Sequence, residues 1–268
     1  MDKIEKKYRE EPNNKLYILT IVVTLLAILI WSSSVVNFDN SAGDGFSIAK
    51  NIFKGILNPD KELLFSLNSK GVIYLLLETI AIAFLGTIIG AIISIPLAFL
   101  ASSNIVPKQI AFLTKLLIMV IRTIPAIVYG LMFIRVTGPG PFAGLMTMSF
   151  TSIGMLTKLF SDTILDLNKN ILESLEALGC TSFRKIRFGI LPQLSANFIS
   201  TGIYRFDMNL RDASVLGLVG AGGIGSPLMF AINSYRWNQV GSILIGLIVL
   251  VIIIEFFSTK IRRKLVRG

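Results

Sequence analysis

Long apolar stretches recur along this chain, and they constrain its fold more than any other feature. About 20 apolar residues in a helix span the hydrocarbon core of a bilayer, and only helices and closed barrels satisfy their backbone polar groups there. The 268 residues are 53% hydrophobic and only 16% charged, whereas soluble domains carry about 25% charged residues. The composition therefore excludes an ordinary soluble globule.

Six segments have the length and composition of transmembrane helices, the third of them interrupted by Arg122 and Pro125. They are 16–36, 71–101, 116–134, 142–165, 193–219 and 240–259. The first is longer than the apolar region of a signal peptide, which has about 7–15 residues, and no cleavage pattern follows it, so we expect it to be retained. In the polar segment 37–70, apolar residues at helical spacing predict a short amphipathic helix on the membrane surface. We expect two regions, 1–70 and a core of 71–268 that contains the other five segments.

Lysine and arginine residues divide unevenly between the two sides of these segments. Seventeen lie in the N-terminal tail, in 105–115, in 157–192 and in the C-terminal tail, and six lie in the opposite loops. Cytoplasmic loops carry the excess of lysine and arginine, so both termini and the segment 166–192 are predicted to be cytoplasmic. This topology, together with anionic lipid, explains the net charge of +10. Nucleic-acid binding would require a basic face interleaved with aromatic residues. The sequence shows no such face.

Motifs for catalysis and metal binding are missing from the sequence. It has no histidine and a single cysteine, Cys180, so it lacks the usual zinc ligand and the usual proton carrier at neutral pH. The glycines of 220–225 imitate a dinucleotide fingerprint, but that fingerprint requires a preceding strand, and close backbone approach at a chain reversal explains them better. No Walker A motif occurs. We therefore predict no catalytic site, no metal and no cofactor in this chain, and a membrane enzyme or a scaffold protein is disfavoured.

The cytoplasmic segment 166–192 has the pattern of two short helices. Gly179 can adopt the positive φ that follows a helix C-terminus, Ser182 can cap the second helix, and Pro192 is expected to close the segment. The second helix carries an apolar stripe formed by Phe183, Ile186 and Ile190. A helical pair of this kind suits the docking of a cytosolic partner.

Charged residues within the predicted spans are the other functional signal. Each costs about 2.5–3.5 kcal/mol at a helix centre, so such residues usually face a bundle interior or a water-filled route. The fifth segment carries four of them: Arg205, Asp207, Arg211 and Asp212. They could neutralise one another and hold the helix in place. Alternatively, Arg205 or Arg211 could, with Arg122, make a route favourable to a tetrahedral oxyanion.

The spacing of Glu173, Gly179, Leu191 and Pro192 resembles the EAA loop of permease subunits of ABC importers. The departures are Ser174 and Leu175 at the positions of two alanines, and Gly189 at the position of an isoleucine. The stretches 122–125, 138–144, 153–160 and above all 204–225 are similar to those of the phosphonate-type permeases among these importers.

This resemblance implies an all-α integral membrane protein of the cell membrane, with six transmembrane helices, cytoplasmic termini and the type I ABC importer permease fold. It implies the permease subunit of an ATP-driven importer for phosphonate or a related oxyanion such as phosphite or phosphate. The alternative is an ABC permease for methionine or glycine betaine. The implied partners are a cytosolic ABC ATPase dimer that binds ATP and Mg, a second permease subunit, identical or paralogous, and an extracytoplasmic substrate-binding protein. The chain itself is then not an enzyme.

Three sets of candidate site residues follow from the EAA resemblance, from the charges within the spans and from the glycine-rich turn. Coupling to the ATPase falls on Glu173, Ala177, Gly179, Arg184, Leu191 and Pro192. The substrate pathway falls on Arg122, Pro125, Arg205, Asp207, Arg211 and Asp212. A turn or gate falls on Gly220, Gly222, Gly223 and Gly225.

Overall fold

The computed structural model describes residues 15–35 and 45–267, and the chain divides into two compact units, Met1–Lys50 and Asn51–Gly268. The predicted cytoplasmic tail before residue 15 and the loop residues 36–44 lie outside the described residues. In the first unit, helix α1 (Lys15–Val35) is exposed at every described side chain. An apolar helix exposed on all sides fits contact with lipid.

The second unit is built from helices, and the described residues contain no β-strand. Helix α2 (Gly45–Ile56) confirms the predicted amphipathic helix and crosses the boundary between the units. The helices that follow are α3 (Lys61–Phe65), α4 (Val72–Ala101), α5 (Lys108–Thr123), α6 (Ala126–Thr137), α7 (Pro141–Leu165), α8 (Lys169–Ala177), α9 (Ser182–Arg184), α10 (Leu191–Gly217), α11 (Gly225–Asn233) and α12 (Trp237–Arg267). A π-helical stretch, Lys185–Ile190, joins α9 to α10.

By length and apolar composition, three of the described helices can cross a membrane by themselves. They are α1, α4 and α12, and a fourth span results if α5 and α6 count as one. Helices α7 and α10 fall short because serine, threonine and charged residues lower their mean hydropathy. The six-span topology therefore stays a prediction.

The third predicted span, 116–134, is two helices rather than one. Helices α5 and α6 meet at an angle of 84°, because Pro125 has no N–H for the carbonyl of Ile121 and disfavours helical geometry in the residue before it. The hydroxyl of Tyr129 donates a hydrogen bond of 3.0 Å to that same carbonyl. The carbonyl that the break leaves without a backbone partner therefore accepts a hydrogen bond from a side chain.

Helices α4 and α7 form the tightest pair of the bundle, and small residues make it possible. A Cβ atom on Gly86 would lie 2.5 Å from the Cβ of Met148, and one on Gly90 would lie 2.5 Å from the Cβ of Ser152. Small residues four apart allow this approach between membrane helices. The contact at Gly90 also fixes the position of Ser152 along the bundle axis, beside α10.

Two glycine-containing turns meet at the opposite end of the bundle from the segment 166–192. The N–H of Gly140 donates to the carbonyl of Gly220 at 2.9 Å, and a Cβ on Gly222 would lie 2.6 Å from the Cα of Pro141. Gly220, Gly222 and Gly223 all have positive φ. The predicted close backbone approach is confirmed, although the turn leads into α11, a helix that the sequence analysis did not predict.

Candidate functional site

The first part of the candidate site is the segment 166–192, which the pattern of two short helices predicted. Helix α8 ends at Ala177, and Gly179 has a φ of +70°. The N–H of Cys180 donates to the carbonyl of Leu175 at 3.1 Å. This bond belongs to the Schellman motif, in which a left-handed glycine closes a helix. The predicted conformation of Gly179 is confirmed.

The second half of this segment differs from the prediction. Ser182 is the first helical residue, and Thr181 takes the capping position, since its carbonyl accepts the N–H of Lys185 at 3.0 Å. Pro192 does not close the segment. It is one of the first two residues of α10, and the helical path runs from Ser182 through the π-helical stretch into α10 without a break.

The π-helical stretch lies where Gly189 contacts α8. A Cβ atom on Gly189 would lie 2.3 Å from Cδ1 of Leu175. These are two of the positions at which the EAA resemblance departs from its usual residues, and the two departures compensate in size. A leucine stands where alanine is usual, and it fills the space that an isoleucine at 189 would otherwise take.

The exposed surface of the segment 166–192 carries apolar and basic side chains. Phe183 is 68% exposed, Phe188 is 70% exposed and Leu178 is 77% exposed. The Arg187 guanidinium lies 5.5 Å from the ring centroid of Phe188. Phe183 therefore leaves the predicted stripe, because Ile186 and Ile190 pack into the core instead. Exposed aromatic residues beside arginine are typical of interface anchors.

The residues assigned to coupling share this exposure. Side chains with an exposed surface are those of Glu173, Ala177, Arg184, Leu191 and Pro192.

The second part of the candidate site is a buried polar network between α10, α7 and α4. Ser152 is its centre, since its Oγ accepts Nε of Arg205 at 3.1 Å and Nδ2 of Asn209 at 2.8 Å. Arg205 also donates to the hydroxyl of Thr151 at 3.1 Å, and Asn209 donates to Thr87 at 2.8 Å. Arg205 is 5% exposed, and each of its three guanidinium nitrogens donates one hydrogen bond to α7, the third to Sδ of Met155 at 3.1 Å.

The remaining charges of α10 also pair with carboxylates. Arg211 contacts Asp207 at 2.9 Å and Glu255 of α12 at 3.3 Å, and Arg205 lies 3.9 Å from Asp212. Two arginines therefore face three carboxylates. The cluster carries no positive excess, which favours mutual neutralisation over attraction of an anion.

Arg122 lies elsewhere. Among the residues that the structure describes, it forms no hydrogen bond or ion pair with the α10 cluster. It lines a pocket of about 230 Å³ between α5 and α7, together with Lys115, Lys158 and Thr157. Pro125 lies at the bend that follows α5. The structure thus separates Arg122 and Pro125 from the other four pathway residues.

The third part is the glycine turn after α10. Glu78 of α4 accepts the N–H of Gly223 at 2.8 Å, and the hydroxyl of Thr79 accepts the N–H of Ile224 at 3.0 Å. Gly225 packs against Gly217, since a Cβ on Gly225 would lie 2.7 Å from the Cα of Gly217. Two α4 side chains therefore hold the turn in place.

The sequence analysis missed several partners of these groups. They are Thr87, Thr151, Ser152, Thr79 and Glu255. The hydroxyls of the four serine and threonine residues carried no signal, because buried serine and threonine in membrane helices commonly bond their own backbone. Glu255 lies on another helix, so its spacing from Arg211 in the sequence carries no signal either.

Comparison with known proteins identifies the family. Residues 94–267 match the family described as binding-protein-dependent transport system inner membrane component, and this match includes the segment 166–192 and all of α10. The chain belongs to this family, the permease subunits of ABC importers.

Two similar proteins are permeases whose names refer to phosphite and phosphate. The chain is 31% identical over 189 residues to the "Phosphite transport system permease protein PtxC" of Stutzerimonas stutzeri, covering 70% of this chain and 69% of that protein. It is 35% identical over 190 residues to the "Phosphate-import permease protein PhnE" of Mycolicibacterium smegmatis, covering 70% of this chain and 36% of that protein. The resemblance to phosphonate-type permeases is confirmed.

A solved structure confirms the fold. The chain matches "Inward facing conformations of the MetNI methionine ABC transporter: CY5 native crystal form" with a TM-score of 0.63 and 21% identity, covering 72% of this chain and 95% of that one. At this identity the likeness concerns the fold alone. The fold is that of a type I ABC importer permease, all-α and located in the membrane.

Proposed function

We propose that this chain is the permease subunit of an importer for a phosphorus oxyanion of the phosphonate, phosphite and phosphate class. The observation that carries the proposal is the likeness, over 70% of the chain, to permeases named for phosphite and phosphate. The chain covers about two thirds of one of these relatives and about a third of the other. The substrate is therefore assigned to this chain as our inference.

A partner ATPase supplies the energy in this proposal. ATP and Mg bind to a cytosolic ATPase dimer, a second permease subunit, identical or paralogous, completes the route, and an extracytoplasmic binding protein delivers the anion. The exposed apolar and basic surface of 166–192 supports the docking of the ATPase there. Because the π-helical stretch continues directly into α10, a force on this segment reaches the bundle through one continuous helical path.

The α10 charges have a positioning role in this proposal. Arg205 and Asn209 hold α10 against α7 and α4, and Asp207, Arg211 and Glu255 hold it against α12. A helix fixed to three neighbours transmits motion rather than absorbing it. The glycine turn, held by Glu78 and Thr79, is the outer closure of the same helix.

Substitutions at Gly179 test the coupling role. The position has a φ of +70°, and no neighbouring atom lies within 4 Å of the place where a Cβ would stand, so a side chain there meets backbone strain but no clash. Gly179→Asn serves as the matched control, because asparagine tolerates the left-handed conformation. Gly179→Glu adds strain of about 1–2 kcal/mol and a negative charge on the docking surface.

We expect Gly179→Glu to insert and fold but to lose uptake in proteoliposomes while the partner still hydrolyses ATP. Gly179→Asn should keep uptake near that of the wild type. Wild-type uptake in Gly179→Glu would remove the coupling role from this segment.

A further inference from the structure

The pocket between α5 and α7 combines three cations with a mainly apolar wall. Lys115 and Arg122 are seven residues apart on α5, which places them on one face about 10.5 Å apart along the helix axis. Lys158 of α7 lines the same pocket. The stem of Arg122 lies against α7, since a Cβ on Gly154 would be 3.0 Å from its Cγ. The volume of about 230 Å³ accommodates a small ion with a short substituent.

Thr157, one of the residues that line this pocket, has a buried hydroxyl without a partner. Thr157 is 0% exposed, and its Oγ1 has no hydrogen-bond partner. Most buried hydroxyls in proteins are hydrogen-bonded, and each exception calls for an explanation. The neighbouring Ser161 differs, because its Oγ lies 3.2 Å from the Oγ of Ser102. A ligand in the pocket would give Thr157 the partner that the protein does not provide.

The charge balance of the pocket is positive. Among the described residues, neither Lys115 nor Arg122 forms an ion pair, and Lys158 pairs with Asp162. Three cations therefore face one carboxylate, whereas in the α10 cluster two cations face three carboxylates. Of these two charged places, the pocket is the one that attracts an anion.

We propose that the α5–α7 pocket binds a tetrahedral phosphorus oxyanion through Arg122, Lys115 and the Thr157 hydroxyl. A guanidinium offers a fork of donors, an ammonium offers a compact charge, and a hydroxyl adds a donor from a third direction. Oxygens that point in several directions, as on tetrahedral phosphorus, meet such donors better than a planar carboxylate does. The apolar wall, with Ile118 and Met119, suits the organic substituent of such an anion.

Two sources can supply this chemistry: a transported anion and the headgroup of an anionic phospholipid. Where the transported anion is the source, the inference rests on the proposed function and names its binding site. Where a lipid is the source, the inference is independent of the cargo.

Binding is measured on the purified permease–ATPase complex in a phosphorus-free maltoside detergent. The two probes are radiolabelled inorganic phosphate, followed by equilibrium binding, and dioctanoyl phosphatidylglycerol, followed by native mass spectrometry. The variants are Arg122→Gln, Lys115→Gln and Thr157→Val. Lys108→Gln is the matched control, because Lys108 is exposed on the same helix outside the pocket.

We expect saturable binding of at least one probe. Arg122→Gln and Lys115→Gln should weaken it about tenfold or more, since each removes a charge-assisted hydrogen bond to the anion. Thr157→Val should weaken it about fivefold without lowering the thermal midpoint, because the hydroxyl has no bond within the protein to lose. Lys108→Gln should bind as the wild type does.

If phosphate binds and the lipid does not compete with it, the ligand of the pocket is the transported anion. If the lipid binds and phosphate does not compete with it, the ligand is a lipid headgroup. The inference is overturned if neither probe binds saturably, or if Arg122→Gln and Thr157→Val bind as the wild type does. Uptake by the wild type separates this failure from a failure of the proposed function. Wild-type transport of an oxyanion with unaltered pocket variants refutes the site alone, and lipid binding without such transport refutes the function alone.

Discussion

Removing Arg211 should damage the protein more than removing its partner Asp207. Asp207 is 4% exposed, and its Oδ1 has no hydrogen-bond partner, so Arg211 compensates nearly the whole buried charge. Breaking a buried pair by removing one partner costs about 3–5 kcal/mol. Because the Arg211 side chain is 47% exposed, solvent screening reduces this figure, and we expect Arg211→Gln to cost about 3 kcal/mol.

Asp207→Asn should cost less stability than Arg211→Gln. The remaining arginine is half-exposed and keeps its contact of 3.3 Å with Glu255, so we expect a cost of about 1 kcal/mol or less. The double variant leaves no uncompensated buried charge and should return to within about 1 kcal/mol of the wild type. The coupling energy between the two sites is then about 2–4 kcal/mol.

Thermal unfolding of the purified complex, co-purification of the ATPase and uptake in proteoliposomes measure the cycle. Arg135→Gln is the matched control, since Arg135 is exposed and its loss changes the net charge by the same amount. Uptake should recover in the double variant together with stability. Costs of the two single changes that add in the double variant would refute mutual compensation, and restored stability without restored uptake would place Arg211 in the substrate route.

Two further predictions concern the cytoplasmic segment and its side of the membrane. Gly189→Ile should overpack the contact with Leu175 at a cost of about 1–3 kcal/mol in folding free energy, so the ATPase should be lost during purification. Adding Leu175→Ala should restore co-purification of the ATPase. If it does not, the two residues do not compensate for each other in size. On a Cys180→Ser background, a cysteine at Thr181 should react with an impermeant thiol reagent only from inside and one at Ser69 only from outside, and outside labelling of Thr181 would invert the topology.

Sequence reasoning predicted the elements that depend on local signals. The bounds of α4 and α7 follow from apolar runs ended by polar residues or by glycine and proline. The mutual neutralisation considered for the four charges of the fifth segment includes Asp207 and Arg211, whose i, i+4 spacing favours a pair. The conformation of Gly179 likewise follows from one residue type at a helix end. Such features need no knowledge of the neighbouring helices.

Features that depend on packing between helices escaped prediction. The π-helical stretch lies where Gly189 contacts Leu175, and the helical path continues through Pro192 into α10. Arg122 and Arg205 were predicted to share a route, but Arg122 lies against Gly154 of α7, whereas Arg205 bonds Ser152 and Thr151 of that helix. Spacing determines which residues share a face of one helix and does not determine which helix lies opposite.

Uptake into proteoliposomes tests the central claim most directly. The assembled complex, with saturating binding protein outside and ATP inside, would be offered radiolabelled phosphate, phosphite, a phosphonate, methionine and glycine betaine in separate reactions. We predict ATP-dependent accumulation of at least one of the three phosphorus oxyanions and of neither methionine nor glycine betaine. Accumulation of methionine or glycine betaine, with none of the oxyanions carried, would contradict the assignment of this permease to phosphorus oxyanions.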